Sequence, residues 1–258
     1  RALSTTVTST GDPEIHELEL TFNNLMLKQR ESTLNEIAMR EGTLQARLSA
    51  LQMQINPHFV YNTLNIISAK SMESGNYDVI EICDQFAQML RYSTDTRSRT
   101  ATMAEELENA RYYLMLSKAR YEDNLEFTID VPENLTSLTV PKLTLQPLVE
   151  NAIYHGIKDR RGGGLITVTG REDGGFLCFC VQDTGRGMTP DQLRDVRARM
   201  RGELPPAYAP YANAGTGFGL NNVDRRIRLY YDQEEGLSIE SGPEGTRVSF
   251  RVPRKTRE

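Results

Sequence analysis

The sequence is poor in cysteine and histidine and contains no long apolar run. A membrane-spanning helix needs about 18 or more consecutive apolar residues, so this stretch of chain is not predicted to cross a bilayer. The three cysteines, Cys83, Cys178 and Cys180, form no CxxC pair, and the three histidines are scattered. A structural zinc site is therefore not predicted, and a reducing, cytoplasmic setting is favoured.

Positive charge is not in excess, since 30 lysines and arginines face 35 aspartates and glutamates and the net charge is −5. A surface that binds nucleic acid typically carries an excess of positive charge, so no nucleic-acid partner is predicted. Hydrophobic residues make up 38% of the 258 residues, a globular composition with room for about two domains. The first residue is Arg1 rather than Met, and we expect the chain to be a piece of a longer protein.

The first half of the chain is nearly free of glycine and has helical periodicity. Apolar residues spaced by three and four over 13–54 predict a long helix that forms a parallel coiled-coil homodimer. Further helices are predicted up to Gly75, through 79–90 and from about 103 to 121. Two antiparallel helices joined by a tight turn and doubled by dimerisation predict a four-helix bundle.

The second half, from about residue 123, contains short alternating strands and glycine clusters. The predicted order is strand, helix, strand, strand, helix, helix, strand, strand, which indicates one mixed sheet covered by helices. Bounds are predicted for four of these five strands, at 125–131, 165–170, 176–183 and, for the last strand, 248–252, and the helices are predicted at about 141–157, 190–201 and 220–231.

The first chemical motif is NPHFVYN at 56–62. On a helix, His58 shares a polar face with Asn62, while Leu64 and Ile67 occupy the opposite face. An imidazole is a good nucleophile near neutral pH because much of it is unprotonated there. For this motif on its own, a plain surface histidine remains the alternative.

Two further motifs are suited to binding a nucleotide. In QPLVENAIYHG at 146–156, the amide oxygen of Asn151 could ligate Mg²⁺, although the polar face could simply be solvated. In DTGRGM at 183–188, Asp183 stands at the end of a strand and could accept from an amine such as that of adenine. Its glycines, Gly185 and Gly187, allow the backbone to approach a planar ligand, and an ordinary turn is the alternative.

The last motif, GTGFGLNNV at 215–223, places three alternating glycines at the start of a helix. Such a segment can offer backbone N–H groups to phosphates. A Rossmann turn is not supported, because no strand immediately precedes the motif and no βαβ unit follows it.

These motifs, in this order and followed by Gly245-Thr246, resemble the ATP-binding domain of the GHKL superfamily, which includes gyrase, histidine kinases and MutL. With PHFVYN upstream, the chain resembles sensor histidine kinases of the LytS/YesM type over nearly its whole length. The resemblance implies a multidomain α and α+β protein, with a helical dimerisation hairpin and a GHKL (Bergerat) α/β sandwich. The implied domains are the end of a HAMP linker with a coiled-coil signalling helix (1–43), the dimerisation and histidine phosphotransfer helices (44–122) and the catalytic ATP-binding domain (123–258).

The resemblance also implies a location and partners. A transmembrane helix and a sensor domain would precede Arg1, so the chain would be the cytoplasmic portion of a cell inner-membrane sensor. Only that missing segment would attach it to the membrane. The protein would be a homodimer that uses ATP and Mg²⁺ to phosphorylate His58 and then passes the phosphoryl group to an aspartate of a cognate response regulator.

By the same resemblance, His58 is the phosphoacceptor, Glu150 a candidate general base and Asn62 a candidate for orienting water in regulator dephosphorylation. Asn151 is the expected Mg²⁺ ligand. The expected nucleotide-binding residues are Asn151, His155, Lys158, Asp183, Gly185, Gly187, Gly215, Gly217, Phe218, Gly219, Leu220 and Thr246.

Two positions depart from the family pattern. Phe59 follows the phosphoacceptor where most histidine kinases have an acidic residue, which leaves the general base unassigned. Tyr154 stands where many relatives have a basic residue, so Lys158, Arg160 or Arg161 would supply the positive charge instead.

These departures keep open an alternative, a catalytically weak nucleotide-binding signalling scaffold. A GHKL ATPase that works by dimer clamping is disfavoured, because Glu150 adjoins Asn151 rather than lying one helical turn away.

Overall fold

The computed structural model describes residues 57–157, 162–201, 203 and 218–254. The predicted coiled coil and HAMP segment lie outside the described residues, as do Lys158, Gly215 and Gly217. The chain divides into two compact units, Arg1–Val60 and Tyr61–Glu258. All elements below belong to the second unit, apart from the first residues of helix α1.

Three helices make up the first part of the described chain: α1 (Pro57–Glu73), α2 (Tyr77–Thr94) and α3 (Met103–Tyr121). Gly75 has a φ of 71° and provides the left-handed residue of the turn between α1 and α2. The hydroxyl of Tyr61, near the start of α1, lies 3.3 Å from that of Thr94 at the end of α2, so the two helices are antiparallel. The hairpin and the helix predicted at 103–121 are confirmed.

The described residues contain seven strands: β1 (Thr100–Thr102), β2 (Leu125–Asp130), β3 (Thr139–Pro141), β4 (Gly164–Asp173), β5 (Phe176–Asp183), β6 (Leu237–Gly242) and β7 (Gly245–Pro253). The main sheet has the order β2-β4-β5-β7-β6. Strands β2 and β4 are parallel and the other neighbours are antiparallel, which confirms the predicted mixed sheet.

Strands β1 and β3 form a separate two-stranded antiparallel sheet that was not predicted. Each has only three residues, which is too short for an alternating pattern to be recognised.

The other α-helices in the described ranges are α4 (Leu145–Asn151), α5 (Pro190–Met200) and α6 (Phe218–Tyr231). The predicted continuous helix over 141–157 is wrong at its start, because Leu143 has a φ of 62°, outside the right-handed helical region. Beyond α4, the chain continues as a wider π-helical segment, Ala152–Ile157.

The hydrophobic core lies where α3, α4 and α6 pack against one face of the main sheet. On neighbouring strands, the rings of Phe179 and Phe250 stack with centroids 5.4 Å apart. The core also includes Met103, Ala110 and Leu114 of α3, each completely buried. The predicted boundary between residues 122 and 123 stays a prediction, and the core draws side chains from both sides of it.

None of the helices in the described part of the chain combines the length and the apolar character that crossing a bilayer requires.

Candidate functional site

The candidate site is centred on Asp183, the last residue of β5, whose side chain is almost completely buried. Its Oδ1 accepts hydrogen bonds from the backbone N–H of Gly185 at 2.8 Å and of Thr246 at 3.3 Å. Thr246 reaches it because the register of β5 and β7 pairs the two residues. Since a buried carboxylate requires donors, these backbone groups both stabilise Asp183 and orient it.

Two glycines allow the α4 segment, which is α4 together with the π-helical residues Ala152–Ile157, to pack against this carboxylate. A Cβ on Gly156 would lie 2.5 Å from Asp183 Oδ1, and a Cβ on Gly185 would lie 2.3 Å from the Cα of Gly156. Both distances are far inside van der Waals contact, so neither position has space for a side chain. Gly156 lies within its sequence motif but is not predicted there as a site residue, because its role depends on a contact across the fold.

The turn between β6 and β7 packs against the same loop. Gly187 has a φ of 63°, and a Cβ there would lie 1.7 Å from the carbonyl oxygen of Gly242. Gly245 has a φ of 129°, and a Cβ there would lie 1.9 Å from the carbonyl oxygen of Asp183. Gly187 of the DTGRG motif and Gly245 of the final hairpin therefore leave no space for a side chain, because each packs against the backbone of the other segment.

Thr246 is held in place by its neighbours. Its hydroxyl lies 2.7 Å from the hydroxyl of Ser241, which in turn accepts from the backbone N–H of Met188 at 2.9 Å. These contacts join Thr246 to Asp183 and to the loop that follows it, and the role of Thr246 in binding a nucleotide stays a prediction. Ser241 was missed, because nothing in the sequence near it signals this contact.

Helix α4 carries the two adjacent candidates Glu150 and Asn151, and Asn151 is its half-buried last residue. Gln146 donates to Glu150 at 2.7 Å and accepts from Asn109 at 2.7 Å. Burial, reinforced by the charge of Glu150, raises the pKa of Tyr113 on α3 to about 12. These contacts place the Glu150 carboxylate close to side chains of α3, and its role as a base stays a prediction.

The candidate residues at the start of α6 and just after α4 contact their neighbours in different ways. A Cβ on Gly219 would lie 3.5 Å from the Cβ of Pro147, so the start of α6 packs against α4. Leu220 is buried in the core. For Phe218 the backbone alone is described. The carbonyl oxygen of His155 accepts from Nε of Arg186 at 3.1 Å, a second link between the α4 segment and the loop after β5.

The donors available to a metal ion are few. Within the described ranges, no group of three or more His, Cys, Asp or Glu side chains could hold one. Mg²⁺ in nucleotide sites is typically bound by one or two protein oxygens, with water and substrate phosphates completing its shell. The amide oxygen of Asn151, the last residue of α4, fits that donor set.

The candidates of the first motif lie on helix α1. His58, Phe59 and Asn62 are all exposed, and the side chain of Phe59 is 69% accessible to solvent.

Two family models match the chain. One, described as "Histidine kinase", matches residues 46–125. The other, described as "Histidine kinase-, DNA gyrase B-, and HSP90-like ATPase", matches residues 139–256. Together they include the His58 motif, the α4 motif, Asp183 and the final hairpin.

Curated relatives include sensor histidine kinase YpdA of Escherichia coli, 32% identical over 93% of this chain and 40% of that protein. Sensor histidine kinase YesM of Bacillus subtilis is 30% identical over 89% of this chain and 37% of that protein. The chain therefore spans about two fifths of the length of these relatives.

Among solved structures, the histidine kinase domain of the Erythrobacter litoralis blue-light activated histidine kinase aligns at 16% identity. The alignment covers 83% of this chain and 94% of that one, with a TM-score of 0.41, which is too low to assign the fold by itself.

Proposed function

This chain belongs to the sensor histidine kinase family, and on that premise we propose that it transfers the γ-phosphoryl group of ATP to its own His58. The observation that carries the proposal is the cradle formed by Asp183, Gly156, Gly185 and Thr246. Its buried, oriented carboxylate is suited to accept from the amino group of adenine, and the close packing of Gly156 and Gly185 keeps that carboxylate in place.

The phosphates would lie toward the segment that leads into α6, with Asn151 as the protein ligand of Mg²⁺. The ion would neutralise phosphate charge, since phosphoryl transfer depends mainly on positioning and electrostatic stabilisation. Gly219 supports this assignment, because it packs against Pro147 of α4, the helix that ends in Asn151.

The chemical step is attack by an unprotonated ring nitrogen of His58 on the γ-phosphorus. The new N–P bond forms as the bond from the γ-phosphorus to the β,γ-bridging oxygen breaks, and ADP leaves with that electron pair. The proton on the other ring nitrogen is then lost to a base or to water. His58 is exposed on α1, which supports its role as an acceptor that bound ATP can approach from outside the helix.

The phosphoryl group would next pass to an aspartate of a response regulator, and Asn62 would orient the water that later hydrolyses this aspartyl phosphate. In the whole protein this chain would be the cytoplasmic, dimeric part of a membrane sensor. These points rest on the family, whose curated members above are sensor kinases.

The test is incubation of the purified chain with γ-labelled ATP and Mg²⁺. Wild type is compared with His58→Gln and with His16→Gln, a matched control outside the residues that the two family models match. We expect acid-labile, alkali-stable label in wild type and in His16→Gln, and at least about 100-fold less in His58→Gln, because the nucleophile is gone.

Other outcomes would contradict this proposal. Label that persists in His58→Gln would mean that another residue is the acceptor. Absence of label from wild type, together with measurable nucleotide binding, would favour the signalling scaffold.

A further inference from the structure

A buried glutamate on α3 is not used by the mechanism above. Glu106 has no solvent-accessible surface, whereas glutamates are mostly exposed in proteins. Its carboxylate accepts from the backbone N–H groups of Leu143, Thr144 and Leu145 at 2.5, 2.7 and 2.7 Å. The fourth donor is the hydroxyl of Tyr92 on α2.

These four donors occupy all four lone-pair positions of the carboxylate. Oε1 accepts from Tyr92 and Leu143, and Oε2 accepts from Thr144 and Leu145. Burial raises the pKa of Glu106, and the donors oppose that rise. Burial and the adjacent Glu106 charge raise the pKa of Tyr92, so its hydroxyl remains a donor.

The loop before α4, residues 142–144, donates N–H groups to Glu106 and is also bound through its carbonyl groups. Arg226 of α6 donates to the carbonyl oxygens of Lys142 and Leu143 at 2.9 and 2.6 Å. Leu143 has a positive φ of 62°, an unfavourable conformation for a branched side chain that its surroundings must enforce. The loop is thus held at both its N–H and its C=O groups in one strained shape.

A second contact attaches the end of α2 to this loop. The ammonium group of Lys142 donates to the carbonyl oxygen of Asp95 at 2.7 Å and lies 4.6 Å from the centre of the Tyr92 ring. Tyr92 and Asp95 are at the end of α2, the second helix of the hairpin whose first helix carries His58.

Helix α4 begins directly after the loop and ends at Asn151. It has seven residues, so its two ends are only about 10 Å apart. A displacement of its first turn would therefore be transmitted to Asn151, because a helix this short moves as a rigid body.

We propose that Glu106 and Tyr92 form a clasp that positions Asn151, so that the end of helix α2 sets the geometry of the magnesium ligand. Glu106 and Tyr92 are positioning residues, since they act through α4 rather than on the nucleotide. The inference rests on the proposed function in one respect, the role of Asn151 as the Mg²⁺ ligand.

The test measures the affinity of the whole chain for a fluorescent ADP analogue, once with Mg²⁺ and once with EDTA. The ratio of the two affinities reports the geometry of the magnesium ligand, and a mere loss of folded protein lowers the signal without changing that ratio. The variants are Glu106→Gln and Tyr92→Phe. Tyr112→Phe is the matched control, because Tyr112 donates to Glu108 at 2.9 Å on the exposed side of α3.

We expect Tyr92→Phe to lower the ratio by about 5-fold, because one of four donors is lost while the ring remains. Glu106→Gln should lower it by about 10- to 100-fold, because its amide nitrogen would face two donors and displace the loop. Tyr112→Phe should leave the ratio unchanged. Without any nucleotide, amide hydrogen exchange at 143–145 should be faster in Tyr92→Phe than in wild type.

The result that would overturn the clasp is a wild-type ratio and wild-type exchange at 143–145 in Tyr92→Phe. That result would be decisive even if Glu106→Gln fails to fold. A wild type that binds ADP without any Mg²⁺ dependence would overturn both the clasp and the role of Asn151. A wild type with a clear Mg²⁺ dependence but no label on His58 would overturn the proposed function alone.

Discussion

Replacing Gly185 by alanine tests whether the backbone contact behind Asp183 builds the candidate site. The new Cβ would lie 2.3, 2.4 and 2.5 Å from the Cα, O and C atoms of Gly156. Carbon atoms pack best at about 3.5–4.0 Å, so the two backbone segments must separate by at least about 1 Å. Backbone atoms cannot rotate away as the end of a long side chain can.

The separation would weaken the 2.8 Å hydrogen bond from Gly185 N–H to Asp183, which orients the carboxylate. Overpacking costs about 1–3 kcal/mol, and a weakened hydrogen bond adds about 1 kcal/mol. We therefore expect Gly185→Ala to lower the free energy of unfolding by about 3 kcal/mol. Nucleotide affinity should fall at least about 10-fold, because the adenine-binding carboxylate loses its orientation.

The assays are urea unfolding followed by circular dichroism and titration with a fluorescent ADP analogue. Gly242→Ala is the matched control, since a Cβ at Gly242 would meet no atom within 4 Å. It should leave affinity unchanged and alter the free energy of unfolding by no more than about 1 kcal/mol, in the stabilising direction. Wild-type stability together with wild-type affinity in Gly185→Ala would refute the reasoning.

Two other substitutions separate binding from stability. Asp183→Asn keeps an oxygen for the backbone donors, so the free energy of unfolding should change by less than about 1 kcal/mol. Nucleotide affinity should fall at least about 30-fold, because a carboxylate oxygen is replaced by a donor. Equal affinity of wild type and variant in a titration would contradict the adenine assignment. Asp224→Ala removes a buried carboxylate that accepts from Leu237 N–H at 2.8 Å and pairs with Arg228 at 2.8 Å. Urea unfolding should therefore show that the free energy of unfolding falls by about 3 kcal/mol. The control Asp191→Ala should change it hardly at all, because Asp191 is exposed.

The sequence alone was sufficient for the elements whose patterns are local. Helical spacing predicted α3 over 103–121, and a short apolar run predicted β5 over 176–183, the bounds that the structure has. The position of Asp183 at the end of β5 followed from the same run. The motif order was specific enough to indicate the family, because each motif is a short run that is legible without a partner.

What only the tertiary structure decided depends on residues far apart in the chain. Glu106 and Thr144 are 38 positions apart, and no periodicity in α3 marks that glutamate as the residue that holds the loop before α4. The helix predicted over 141–157 starts late for a similar reason, because Leu143 takes its strained backbone conformation only where Glu106 and Arg226 hold it. Likewise, Gly156 is required only because Gly185 packs against it. Local spacing determines which element forms, whereas the packing of distant backbone segments determines which positions have no space and which buried charges find donors.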